Sequence, residues 1–122
     1  MILLIAGSRS FNDYEFLKEK IDSLTANVKI TKIITGGEIG ADQLAEQYAK
    51  EKNIKVEIKK PRWKIGRSAG YLRNEDMVRN SNSVICFWDG RSRGTKHILQ
   101  LAEAYKIQRR VIYFGINYLY PL

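Results

Sequence analysis

The sequence predicts an α/β protein built on one doubly wound parallel sheet of about five strands, with helices on both faces. Three observations predict it. Strand-sized apolar runs alternate with segments at helical period along the 122-residue chain, a pattern of parallel strands joined by helices rather than of hairpins. The runs from Ile2 to Ala6 and from Ser83 to Trp88 are almost continuously apolar, as strands covered on both faces must be. Polar, glycine-punctuated loops follow four of the runs. Right-handed crossovers leave few topologies, and the expected strand order is 3-2-1-4-5. That order puts the switch point between the first and fourth strands, where such sheets bind ligands.

Each element follows from its residues. Ile2 to Ala6 forms the first strand. Asp13 caps the next helix, whose apolar positions Tyr14, Phe16, Leu17, Ile21 and Leu24 recur near helical period. Ile30 to Thr35, rich in β-branched residues, forms the second strand. Ala41 to Lys52 is a helix with Leu44, Ala45, Tyr48 and Ala49 inward, ended by Asn53. Val56 and Ile58 mark a short third strand whose charged neighbours put it near a sheet edge. Pro61 breaks the pattern, and residues 59–66 form a basic loop around Trp63. A helix over 67–80 is expected to pack through Ala69, Leu72, Met77 and Val78. Ser83 to Trp88 is the fourth strand. Gly94 to Tyr105 is a helix with Ile98, Leu99, Leu101 and Ala102 inward, and Arg110 to Phe114 is the fifth strand. The aromatic tail from Ile116 to Leu122 is expected to cover a sheet edge or to meet a second copy in a homodimer. With no repeat, linker or low-complexity segment, the chain reads as one domain over 1–122.

Composition bounds the function. An apolar share of 44% is ordinary for a water-soluble domain, and no run is long enough to span a membrane. Met1 to Ala6 has no basic region before it and is not read as a signal peptide. The single cysteine, Cys86, lies in an apolar run and is expected to be buried and inert. A cytoplasmic protein is the expectation. The net charge is +8. Within residues 50–67, Lys50, Lys52, Lys55, Lys59, Lys60, Arg62, Lys64 and Arg67 face only Glu51 and Glu57. Such a field attracts anions; its readings are a solvated surface, steering of a small phosphorylated ligand, or a nucleic-acid patch.

Four loops carry the candidate chemistry. In the first, Gly7 permits close backbone approach, Ser8 can donate to an anion, and Arg9 offers a planar fork for phosphate or carboxylate. The second, with Gly36, Gly37 and Gly40 before Asp42, can aim exposed amides at an anion. It is neither a Walker loop nor a G-x-G-x-x-G fingerprint. Asp42 either caps its helix or accepts from a ribose hydroxyl, and Glu46 lies one turn further on the same face. The third constellation joins Trp63, as a base-stacking surface or hydrophobic cover, with Arg73 and Asn74, which at successive helical positions face different ways. In the fourth, Ser92, Arg93, Gly94 and Thr95 open a helix and form an anion site. Asp89, at the strand end before it, is suited either to acid/base or hydroxyl-binding work or to holding the loop. His97 has no catalytic partner in the pattern and reads as structural. No cysteine–histidine metal spacing is present, and no cofactor or metal is expected.

Four groups of these residues together resemble a known family. They are Gly7-Ser8-Arg9 with Phe11 and Asp13; Thr35-Gly36-Gly37 with Gly40-Ala41-Asp42; Arg73-Asn74 with Met77; and Phe87-Trp88-Asp89-Gly90 with Ser92, Gly94 and Thr95. This set is similar to the YspA/YpsA-related branch of the SLOG superfamily, found in bacteria and phages. The resemblance implies a Rossmann-like sheet that binds nucleotides or their derivatives. The superfamily also holds the LONELY GUY phosphoribohydrolases, DprA, and sensor domains for NAD-derived signals in antiphage systems. The hydrolases carry Pro-Gly-Gly-x-Gly-Thr-x-x-Glu. Here one extra residue precedes Gly40, Ala41-Asp42 stand where the threonine would fall, and Glu46 matches their glutamate only approximately. The resemblance therefore implies ligand binding more directly than hydrolysis. The expected function is binding of a nucleotide or nucleotide-derived molecule. The alternatives are hydrolysis of a nucleotide N-glycosidic bond, with Asp42, Glu46 or Asp89 as the acid, and nucleic-acid binding through the basic stretch.

Overall fold

The computed structural model describes residues 1–115. Five parallel strands, β1 (Ile2–Gly7), β2 (Lys32–Thr35), β3 (Lys55–Ile58), β4 (Ser83–Trp88) and β5 (Gln108–Tyr113), form one sheet in the order β3-β2-β1-β4-β5. Four α-helices lie among the described residues: α1 (Tyr14–Leu24), α2 (Ala41–Glu51), α3 (Ala69–Arg79) and α4 (Arg93–Ala104). A single 3-10 turn, Trp63–Ile65, interrupts the path from β3 to α3. The expected order and Rossmann-like α/β class are therefore the observed ones. The tail from Ile116 to Leu122 lies outside the described residues. No helix among the described residues is long and apolar enough to cross a membrane.

The strand alternation explains the unbroken apolar runs. Leu3 and Ile5 of β1, Ile33 of β2, and Ile85 and Phe87 of β4 turn to one face, where they meet Leu17 and Ile21 of α1 and Ala45, Tyr48 and Ala49 of α2. Leu4 and Ala6, Ile34, and Val84 and Cys86 turn to the other face, against Met77 and Val78 of α3 and Ile98 and Ala102 of α4. Cys86 is fully buried, and burial pushes its thiol well above the usual range.

Local signals act as the sequence predicts at several ends. The Asp13 carboxylate accepts from the Phe16 N–H at 3.1 Å and starts α1. Asn53 adopts φ +54 after α2, the left-handed turn that asparagine tolerates. Some boundaries differ. β2 begins at Lys32, where regular pairing with Ile2 of β1 starts, two residues later than expected. β5 begins two residues earlier than expected. Leu72 was expected to pack but is 51% exposed. Asn74 takes an inward position on α3 in its place.

Candidate functional site

The carboxyl ends of β1, β2 and β4 and the first turn of α4 enclose a cleft of about 420 Å³. It opens beside the β1–β4 pair, at the switch point of the strand order. Gly7, Ser8, Arg9, Asp42, Arg73, Asn74, Asp89, Ser92, Gly94 and Thr95, all singled out from the sequence, line it together with Glu38.

Glycine makes this convergence possible in two places. A Cβ on Gly7 would lie 2.3 Å from the Phe87 carbonyl oxygen and 2.7 Å from the Ala41 Cβ. Only a bare Cα lets β1, β4 and α2 meet so closely. Gly40 has φ +84, and a Cβ there would lie 2.5 Å from the Ser8 and Arg9 carbonyl oxygens. The first and second loops therefore touch backbone to backbone. Ser8, almost fully buried, stitches them to the fourth loop. Its N–H donates to the Phe87 carbonyl at 2.9 Å, its carbonyl accepts from Ala41, and its Oγ accepts from the Asp89 N–H at 3.0 Å.

Asp42 is the buried acid of the cleft. α2 is capped at Gly40 without a side-chain bond, so Asp42 is not the cap of its helix. Its Oδ2 instead accepts from the Glu38 N–H at 3.1 Å. Burial pushes its pKa up to about 6, although the Glu38 N–H, the Arg73 charge and the Thr35 hydroxyl all favour the ionised form. Thr35 Oγ1 is itself buried and lacks a fully formed hydrogen bond.

Asp89 behaves in the opposite way. Burial raises its pKa, but N–H donation from Arg91 at 2.8 Å and Ser92 at 2.9 Å, with the Ser8 hydroxyl, outweighs burial and holds it below the usual aspartate value. Asp89 thus holds its loop and stays ionised at the rim. Ser92 caps α4, its Oγ lying 3.1 Å from Thr95 Oγ1.

Arg73 is held from four directions. Its Nη1 donates to the Gly36 carbonyl at 3.0 Å and the Lys59 carbonyl at 3.2 Å, and its Nε donates to Asn74 Oδ1 at 2.9 Å. Glu38 lies 3.8 Å from its Nη2 and also pairs with Arg9 at 3.3 Å. Because an arginine Nε–H can only donate, Asn74 must turn its oxygen to Arg73 and its amide nitrogen to His97. His97 Nδ1, 3.1 Å away, must then accept. Burial lowers the His97 pKa, partly countered by Glu75, and favours that neutral ring. Tyr71 closes on the imidazole edge-to-face at 4.7 Å. Successive positions thus share one network rather than facing apart.

Other expected residues lie elsewhere. Gly36 sits behind the lining, where a Cβ would come within 2.7 Å of Arg73 Nη1 and 2.9 Å of Asp42 Oδ2. Gly37 packs against Ile58. Gly40, Glu46, Trp63 and Arg93 are not among the lining residues, and Trp63 is 64% exposed on its own turn. Glu38 was not singled out, because one acid in a glycine loop carries no pattern until two arginines converge on it. The lining holds two cations, Arg9 and Arg73, against three acids, Glu38, Asp42 and Asp89, so its side-chain charge is not positive. Among the described residues no acids gather as a metal site. Such a cleft can hold an anion at a helix N-terminus and hydroxyl groups on its carboxylates.

No curated protein matches the chain. Residues 1–66 match the model of the YspA, cpYpsA-related SLOG family. The matched stretch holds the Gly7–Arg9 and Gly36–Asp42 loops and ends before Arg73 and the Asp89–Thr95 loop, which enter the same cleft by folding. The match covers more than half of the 122 residues, and the chain belongs to the YspA, cpYpsA-related SLOG family.

Proposed function

We propose that this chain binds a nucleotide or a nucleotide-derived small molecule in the cleft at the carboxyl edge of its sheet, to sense, sequester or process it. One observation carries the reading: loops far apart in sequence meet the N-terminus of α4 around a single cleft. Membership of the SLOG family is compatible with it. In this reading the phosphate sits over Ser92, Gly94 and Thr95, where the Ser92 and Thr95 hydroxyls and the dipole of α4 favour an anion. Arg9, whose side chain is 71% exposed, swings from Glu38 to meet it. Asp42 and Asp89 accept from sugar hydroxyls. Gly36, Gly37 and Gly40 support the second loop from behind.

Isothermal titration with mono-, di- and cyclic nucleotides, ADP-ribose and NAD tests this. At least one member is expected to bind. Gly94→Asp supplies the sharper control, because a side chain at Gly94 meets no atom within 4 Å. An acid in the first turn of a helix adds about 0.3–1 kcal/mol of stability, yet it repels a bound phosphate. The variant is expected to melt at or above the parent temperature while losing affinity about a hundredfold. A folded protein that binds no member of the panel overturns the reading.

The Asp42 carboxyl favours a second reading, cleavage of the N-glycosidic bond of a nucleoside monophosphate. A buried acid titrating at about 6 takes or gives a proton near neutral pH. It would accept a proton from water as the water oxygen bonds to the sugar C1′ and the bond to the base nitrogen breaks; the proton then passes to the departing base. Chromatography of the free base after incubation with nucleoside monophosphates decides this. Release should fall by about 10²–10⁴ in Asp42→Asn, and no release from the parent protein leaves binding alone.

A further inference from the structure

Outside the cleft, the strongest unexplained feature is the surface between β3 and α3. Residues 58–74 carry six cations and no acid. Two of the six are committed: Lys59 pairs with Glu57 and Asp76, and Arg73 is fixed in the cleft wall. The other four, Lys60, Arg62, Lys64 and Arg67, are exposed and make no ion pair among the described residues. Concentrating like charge on one short segment is unfavourable unless something anionic offsets it.

Two further facts narrow the class of anion. Trp63, 64% exposed, stands between Arg62 and Lys64, with its ring edge over Gly70, where a Cβ would lie 3.7 Å from Cη2. An exposed indole within a cationic stretch of chain suits a stacked base more than a carboxylate side chain. A groove of about 600 Å³ lies beside this segment, lined by Ile58, Lys60, Arg62, Leu72 and the Lys59–Asp76 pair, and it reaches Arg73. Arg73 also lines the nucleotide-sized cleft. The two depressions therefore share one wall.

We propose that the surface between β3 and α3 binds single-stranded nucleic acid, its phosphates on Lys60 and Arg62 in the groove and on the exposed Lys64 and Arg67 beside it, a base on Trp63, and the strand's terminal nucleotide in the cleft. The placement of the terminal nucleotide rests on the nucleotide reading above; the groove contacts do not. Four phosphate contacts on a single strand imply that log affinity falls against log salt with a slope of about −3, at about 0.7 per contact. Stacking on Trp63 implies quenching of its fluorescence and a loss of at least tenfold in Trp63→Ala.

The test is fluorescence anisotropy of the full chain with fluorescein-labelled oligothymidylate and oligouridylate of about twelve nucleotides across a salt series. The same oligomer paired into a duplex and an oligoglutamate of equal charge are the comparisons. Binding of a single strand with a slope near −3 supports the proposal, provided that Arg62→Gln with Lys64→Gln brings the slope to about half. A slope shallower than −1 overturns it. Oligoglutamate bound as tightly, with Trp63→Ala without effect, also overturns it and points to an acidic protein partner. Gly94→Asp separates the two readings. It should weaken mononucleotide binding about a hundredfold yet keep the groove's salt slope and Trp63 quenching. If the oligomer binds as described while no mononucleotide does, the groove stands and the cleft reading falls; if only mononucleotides bind, the reverse holds.

Discussion

Replacing Asp42 by asparagine is expected to open a stability gap over the parent protein that grows by about 3 kcal/mol between pH 4 and pH 8. The carboxyl titrates at its ordinary 3.8 when unfolded and at about 6 when folded. A raised folded pKa means that the native state holds the proton more tightly. Its stabilising contribution is complete below pH 3.8 and is lost as pH rises through about 6. A shift of about two units is worth about 3 kcal/mol. Asparagine cannot ionise, so it escapes that loss while its amide oxygen can still accept from the Glu38 N–H. The lowered pKa of His97 acts in the other direction, since its contribution is present above the ordinary histidine value and lost on acidification. It is common to both proteins and cancels in the difference. Urea unfolding of both proteins across this pH range measures the gap, and a pH-independent difference overturns the assignment. The same variant should bind ligand more weakly, a trade of stability against function that buried site acids commonly show.

Gly7→Ala is expected to be the most damaging small substitution in the cleft, costing about 3 kcal/mol and lowering the melting temperature by about 10 °C or more. The new methyl meets the Phe87 carbonyl oxygen at 2.3 Å and Ala41 at 2.7 Å. Neither can yield cheaply. The carbonyl already accepts the Ser8 N–H, and Ala41 begins α2 at the core. Relief requires β1 to part from β4, which also draws Ser8 away from Asp89. Gly94→Ala is the control, because its methyl enters open space and should leave melting nearly unchanged. Equal melting temperatures for the two alanine variants would show that the close approach at Gly7 does not constrain the fold.

Most of the fold was legible because burial on both faces leaves few choices. Strands β1 and β4 are apolar at every core position, so their bounds and the strand order followed from pattern and handedness. At one misread position, tertiary hydrogen bonds compete with periodicity. Leu72 looks like a core residue by spacing. Yet Arg73 and Asn74 fix the rotation of α3 through Gly36, Lys59 and His97, and Leu72 turns outward. Ile30 and Thr31 look like strand by composition, but regular pairing with β1 starts at Lys32. In the cleft, glycines and helix starts announced themselves as residue types. The balance of charge did not, because Glu38 acquires its role only when Arg9 and Arg73 arrive from distant segments. The second glycine loop was expected to face the ligand, whereas Gly36 and Gly37 serve as clearance for Arg73, Asp42 and Ile58.

Arg73 clasps the turn before α2 and the end of β3 from across 37 and 14 residues of chain. One wall of the cleft and the edge of the sheet therefore rest on a single guanidinium, and this residue is not free to drift without loosening that edge. Arg9, largely in solvent and tied among the described residues to Glu38 alone, carries no such obligation. Divergence in ligand preference among kindred chains should accumulate at the first arginine and spare the second.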